Sequence, residues 1–290
     1  MNEKEILVPV QPYLSLDADD YKEIISRRMG ISNFYEFHVQ EGTPANFKAV
    51  PDDSTDLVFG IGEHDVKVLL GGTVLKAKDW EFEDGRYYFG ARFFPGKYIL
   101  PSGLTIQEVV NQDLEIDKNE YGAGLTDALA EAGNVKKRAE ILLKYLSENQ
   151  INQAKDSAYV LEEYLRQRIY VTNGNISIQM LSRETGYSES YIRRIFKQIH
   201  GISPKEFERF IRFQTFLNAI HGAAGQVDNE ELALNCGYYD QSHMLKDFRA
   251  FAGTTPEKYK KLLKEKTTEK VMAMENSMYY TIRKRRGIWR

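Results

Sequence analysis

Ser190, Arg193, Arg194 and Lys197 recur at i, i+3, i+4 and i+7, the spacing that puts four side chains on one face of a helix. Ile192, Ile195, Phe196 and Ile199 fall together on the opposite face. The first face is cationic and rich in hydrogen-bond donors; the second is apolar and made to dock. A guanidinium can pair bidentately with guanine O6 and N7, so the cationic face suits the major groove of a DNA duplex. The residues just upstream would hold it in place. Gly186 can end a short helix at φ > 0, Tyr187 carries the turn, and Ser188 is placed to cap the next helix.

The pattern occurs twice. Leu181 to Pro204 and Leu232 to Pro256 share a Leu-to-Gly spacing of five residues (181 to 186, 232 to 237), and a Tyr follows each Gly. Each copy closes with Phe, then Gly five residues on (196 to 201, 248 to 253), then Pro three residues later. One amphipathic helix is commonly just a surface helix. Two copies with matching turn chemistry point to paired helix-turn-helix units.

On these residues, and on the closing run Gly253-Thr254-Thr255-Pro256-Glu257-Lys258-Tyr259, the segment from about Asp156 to Lys264 resembles the DNA-binding domain of AraC-family transcription regulators. The resemblance implies an all-α double helix-turn-helix domain over 151–264. Its first unit falls at about 177–200, a linker helix at about 204–221 and its second unit at about 228–252. Phe207, Ile211, Phe213 and Leu217 would give the linker its apolar contacts. By position, base reading falls on Ser190, Arg193 and Arg194 in the first unit, and on Gln241, Ser242, His243, Leu245 and Lys246 in the second. Lys197 and Arg249 are expected to touch phosphates. The second unit is unusually acidic. Asp228 with Glu231 reads as a capping-box variant, whereas Asp240 and Asp247 have no evident place beside phosphates.

Residues 1–150 read as a β-rich sensor or dimerisation domain, a barrel or sandwich with terminal helices, which makes the chain α+β and multidomain. The runs 34–39 and 57–61 have strand character. Gly71-Gly72 and Asp84-Gly85 read as two-residue hairpin turns, and Asp17 to Met29 reads as an early helix. Val135, Ala139, Leu142, Leu143 and Leu146 form one helical stripe that would cover the β domain, with a dimer contact as the alternative, and 147–156 reads as the linker. The runs 50–59 and 88–96 are similar to a sensor-like domain found in some AraC-family regulators. Arg92, beside an aromatic cluster, is the candidate anchor for an anionic effector, with a surface ion pair as the bland alternative. Asp52 and Asp53 are assigned to turn chemistry.

The net charge of −3 is the difference of two unequal halves. Residues 1–154 hold 16 Lys and Arg against 26 Asp and Glu, and residues 155–290 hold 23 against 16. That asymmetry fits a polyanion partner for the second half. With 42% hydrophobic residues, a single cysteine, Cys236, and no membrane-length apolar run or secretory leader, the expected protein is folded and cytoplasmic, without disulfides. A β-barrel metalloenzyme needs clustered ligands, and the first half offers only His38 and His64, 26 residues apart. No nucleophile elbow, phosphate-binding glycine loop or CxxC is present, so no enzyme, metal or cofactor is expected. The rival of another class is an interaction module whose helix-turn-helix units have lost DNA binding. The expected partners are double-stranded DNA, a small-molecule effector, a second copy of the chain and, if the protein is an activator as the resemblance tilts it, RNA polymerase. Residues 265–290 form a basic tail ending Arg283-Lys284-Arg285-Arg286-Gly287-Ile288-Trp289-Arg290, either a frayed terminus or a grip on phosphates.

Overall fold

The computed structural model describes residues 9–42, 45–149, 157–222 and 229–268. After a short helix, α1 (Pro12–Asp17), come the strands β1 (Asp19–Ile25), β2 (Ile31–Val39), β3 (Ala45–Ala49), β4 (Asp56–Ile61), β5 (Val66–Gly71), β6 (Lys78–Phe82), β7 (Arg86–Phe93) and, past helix α2 (Ile106–Val109), β8 (Asp113–Ile116). Six of them make an antiparallel sheet in the order β1-β2-β7-β4-β5-β8, while β3 and β6 pair as a separate ribbon. Alternation along the strands sends apolar side chains to both faces. Phe34, Leu57, Phe59, Val68 and Phe89 meet the helices α3 (Ala123–Glu131) and α4 (Val135–Glu148). Tyr35, Phe37, Val58 and Tyr88 meet Phe47, Trp80 and Phe82 of the ribbon. The β-rich domain is therefore an open sheet with a ribbon laid over one face and helices over the other. The stripe on α4 does cover the sheet: Val135, Ala139, Leu142 and Leu146 are buried there, and Arg138 donates to Glu36 of β2 at 2.6 Å.

Three local expectations fail for physical reasons. The early helix is replaced by β1, which pairs antiparallel with β2. Tyr21 packs toward the ribbon core and Ile24 toward the α4 core, a two-sided pattern that only a strand provides. Gly71-Gly72 is no hairpin turn. Gly72 lies so close to α2 that a Cβ would sit 1.8 Å from the Val109 carbonyl oxygen, so glycine serves close approach here. Asp84-Gly85 does join two strands, but β6 belongs to the ribbon and β7 to the sheet, so the turn changes layers instead of closing a ladder.

The second half is helical: α5 (Ser157–Val171), α6 (Ile178–Thr185), α7 (Glu189–His200), α8 (Pro204–Gly222), α9 (Asn229–Asn235), α10 (Gln241–Ala252) and a final helix, α11, over 256–268. α8 runs through the middle of this half, with Phe207, Ile211, Phe213 and Leu217 each at most 2% exposed. The free thiol of Cys236 is buried in the same core. That core extends into the first half, because Tyr13 and Val50 belong to it. Residues 150–156, which make up most of the expected linker, and the tail beyond 268 lie outside the described residues.

Candidate nucleic-acid interface

Each recognition helix is cut to length by its caps. The Ser188 side chain accepts from Tyr191 N to start α7, and Gly201 ends it in the left-handed region. Asp240 does the same for α10, accepting from His243 N at 2.7 Å, and Gly253 ends it. Gly186 closes α6 at φ 75, as the turn requires. Asp240, which looked misplaced beside phosphates, is thus an N-cap. Asp240→Ala is expected to cost about 1 kcal/mol of stability, read as a lower urea midpoint at unchanged m-value. An unaltered midpoint would show that the cap is idle.

The faces assigned from sequence are where the spacing put them. On α7, Ile192, Ile195, Phe196 and Ile199 are buried, and Ser190, Arg193, Arg194 and Lys197 are all exposed. Arg193 pairs with Glu189 at 2.7 Å across one turn, and the Arg194 guanidinium lies 4.9 Å from the Tyr191 ring centre. An exposed i, i+4 pair is worth only about 0.3–0.5 kcal/mol, so the Arg193 guanidinium can leave Glu189 at little cost. On α10, Gln241, Ser242, Lys246 and Arg249 are exposed, while His243 and Leu245 are half-buried. Leu245 packs against the helical core, and His243 Nε2 lies 3.8 Å from Asp247 Oδ2, so both are turned partly inward. Asp247 itself is 1% exposed and accepts from Arg209 of α8 at 2.7 and 3.1 Å. It anchors the second unit to the linker helix. Asp228 lies outside the described residues; Asn229 starts α9 and donates to Glu257 at 2.7 Å.

What sequence reasoning missed is the grip of the β domain on the C-terminal ends of both recognition helices. Gln107 donates to the Lys197 carbonyl at 3.0 Å at the end of α7. Ala77 N donates to the Ala250 carbonyl at 3.2 Å, and the Tyr13 hydroxyl to the Ala252 carbonyl at 2.8 Å, at the end of α10. Gln214 of α8 accepts from Val10 N and donates to the Pro51 carbonyl, both at 3.0 Å. At the centre of the junction His200, the last residue of α7, lies between two carboxylates: Asp53 at 2.5 Å from Nδ1 and Glu162 at 2.9 Å from Nε2. Arg166 holds the same Glu162 oxygen at 2.7 Å, and all four side chains are buried. Burial works against the imidazolium, but Asp53 and Glu162 outweigh it and push the His200 pKa up to about 9. Burial drives the Asp53 carboxyl up to about 6 although His200 pulls the other way. Asp53 in a loop and Glu162 in a helix gave no sequence signal of this partnership.

Arg92 is not an open anchor. It is 3% exposed, bound to Asp56 by Nε at 3.0 Å and Nη2 at 2.9 Å, and 3.4 Å from Asp52. Tyr35 donates to Asp56 at 2.9 Å from the same cluster. The ion pair is real but lies in the core, not on the surface. Asp52 also accepts from Ser54 N, the turn role expected of it, whereas Asp53 reaches across to His200. Among the described residues no group of three or more His, Cys, Asp or Glu side chains is arranged to hold a metal ion, and no helix is long and apolar enough to cross a membrane.

Residues 181–262 match a family model described as a helix-turn-helix domain. No curated protein matches the chain. Among solved structures, one of ToxT from Vibrio cholerae is similar at 10% identity, covering 83% of this chain and 98% of that chain with a TM-score of 0.43. ToxT from Vibrio cholerae O395 bound to (E)-4-(8-methylnaphthalen-1-yl)but-3-enoic acid is similar at 11% identity, with 84% and 99% covered and a TM-score of 0.41. Unsaturated fatty acid bound wild-type ToxT gives 11%, 84%, 96% and 0.38 in the same terms. The matched domain and its two exposed recognition faces define a DNA-binding protein of the helix-turn-helix class. Residues 181–262 are a helix-turn-helix domain, and an N-terminal β-sheet domain precedes it in the chain.

Proposed function

We propose that the chain is a sequence-specific transcription regulator whose α7 and α10 read two successive major-groove segments about 10 bp apart on one face of the duplex. One observation carries this reading: both recognition helices bury their apolar faces in a shared core and leave Arg193, Arg194, Lys197, Gln241, Ser242, Lys246 and Arg249 toward solvent. Arg193 and Arg194 are the guanine readers, with Ser190, Gln241, Ser242 and Lys246 completing the base contacts. His243 and Leu245 contribute by their uncovered edges, and Lys197 and Arg249 bind phosphate. The interaction-module alternative drew its support from the acids of the second unit. The structure gives Asp240 and Asp247 other work.

The protein acts in the cytoplasm on double-stranded DNA, as a dimer and an activator that contacts RNA polymerase. A small anionic effector would enter a cavity of about 120 Å³ between the β domain and α5, where Arg27, Lys97 and Arg166 outnumber the one carboxylate, Glu163, and Phe94 is the apolar wall. That cleft takes the place of Arg92 as the effector anchor. The test is selection of duplexes from a random-sequence pool, followed by footprinting. A protected site of roughly 17–20 bp that survives competitor DNA is expected. Arg193→Ala should then weaken binding by about 1–3 kcal/mol and relax preference at one base pair. A uniform loss on every sequence would reassign Arg193 to phosphate, and no selected duplex at all would sink the reading.

A further inference from the structure

The two recognition helices are equally long, twelve residues each, yet the turns before them differ. Gly186 stands two residues before its N-cap Ser188, and Gly237 stands three before Asp240. The caps explain the difference. In the first unit Gly186 N donates to the Ser182 carbonyl, a single closing bond, and Tyr187 follows directly, stacked on Tyr191 at 5.0 Å. In the second, Tyr238 N reaches back to the Ala233 carbonyl at 3.0 Å, the longer bond of a Schellman turn, and the Tyr238 ring is carried into the core at 3% exposure. The extra residue is Tyr239, and it is thrown outward to 87% exposure.

An aromatic residue just before an N-cap ordinarily staples to the fourth helical residue. That explanation fails at Tyr239, because the fourth residue of α10 is Met244, which is wholly buried while Tyr239 is nearly all exposed. Among the described residues its ring also meets no other aromatic ring. A lone exposed apolar ring would need no explanation. A tyrosine at the lip of a recognition helix carries a hydroxyl to the place where the turn crosses the sugar–phosphate wall. The chemistry there favours a neutral donor. The first turn of α10 holds Gln241, Ser242 and His243 and no Lys or Arg, and a cation at 239 would lie beside the Asp240 carboxylate and be drawn to it.

We propose that Tyr239 is a phosphate-binding residue of the second unit, its phenolic hydroxyl donating a hydrogen bond to a backbone phosphate at the edge of the segment that α10 enters. The assignment rests on the DNA-binding reading above. It gives the acidic second unit a contact that positions α10 without adding charge. Tyrosine is among the side chains that bind phosphate in this way. Such a bond neutralises no phosphate charge and releases no counterion, which gives it a distinctive salt signature.

The experiment titrates the full chain and its variants against two fluorescent duplexes over a salt series. One duplex is selected by the wild-type protein from a random pool, and the other is an unrelated sequence of equal length. Tyr239→Phe is expected to bind both about three- to tenfold more weakly, with the salt slope and the melting temperature unchanged. Lys197→Ala should weaken both while lowering the salt slope by about one. Wild-type affinity in Tyr239→Phe, beside a Lys197→Ala that behaves as stated, overturns the tyrosine assignment and leaves the DNA reading standing. A Tyr239→Phe loss confined to the selected duplex overturns it in favour of base contact. A wild-type chain that selects no duplex from the pool and does not bind the unrelated one overturns both.

Discussion

Replacing His200 with alanine is expected to destabilise the folded chain by about 3–5 kcal/mol, the usual cost of stranding buried charges by removing their partner. The imidazolium lies between Asp53 of the β domain and Glu162 of α5, and Arg166 supplies the second positive charge that balances the two carboxylates. The pH dependence gives a separate readout. The His200 pKa is about 9 in the fold against an ordinary 6.5, so folding takes up a proton between those values. Its contribution is complete below pH 6.5 and is lost as pH rises through 9. Asp53 acts in the same direction lower down: raised to about 6, it favours the fold most below its ordinary 3.8 and withdraws that favour as pH climbs through 6. The wild-type melting temperature should therefore fall between pH 7 and 9.5, and His200→Gln should flatten that limb. Parallel profiles for the two proteins would show that the junction histidine is not the titrating group.

Arg92→Met is expected to be as damaging, about 3–5 kcal/mol, since it leaves the buried Asp52 and Asp56 carboxylates without the guanidinium that pairs with both. Burial already holds the Asp52 carboxyl above its ordinary range while Arg92 pulls it back down. Without Arg92 the Asp52 carboxyl would rise further, and stability should improve toward acid. Urea unfolding of Arg92→Met and of Arg92→Met/Asp52→Asn/Asp56→Asn decides the point: the triple variant should recover most of the loss. If it is no more stable than the single variant, the arginine matters through its packing against Tyr35 instead of its charge.

The helical half was legible because its signals are local. The caps Ser188 and Gly186, the i, i+3, i+4 faces and the linker's phenylalanines each act within a few residues, and each reappears in the fold. In the β half the strands at 34–39 and 57–61 were legible for the same reason, while their partners were not. Gly72 marks a contact with Val109 and not a turn, and Asp84-Gly85 joins strands that pair elsewhere. Asp53, Glu162 and His200 lie more than thirty residues apart and gain meaning only where the halves meet. Asp240 and Asp247 looked like defects because their partners, a backbone amide and Arg209, are settled by packing.

The bond from Tyr13 to the Ala252 carbonyl spans 239 residues, and it bears on the order in which the chain is made. The α1 segment is made well before the residues that seat it, since its socket is completed by Phe251 and Tyr259. At about 5–20 residues per second, Tyr13 waits roughly 12–50 s for the residues that receive it. Until then the sheet can form, but α1 has no lodging, and the first half carries an uncovered edge through most of translation. Cutting the gene between the halves would not release two finished modules. The helical piece would emerge with an empty tyrosine socket and with His200 and Glu162 missing Asp53. Folding of the two halves is therefore one coupled event, finished only once α10 and α11 have been made.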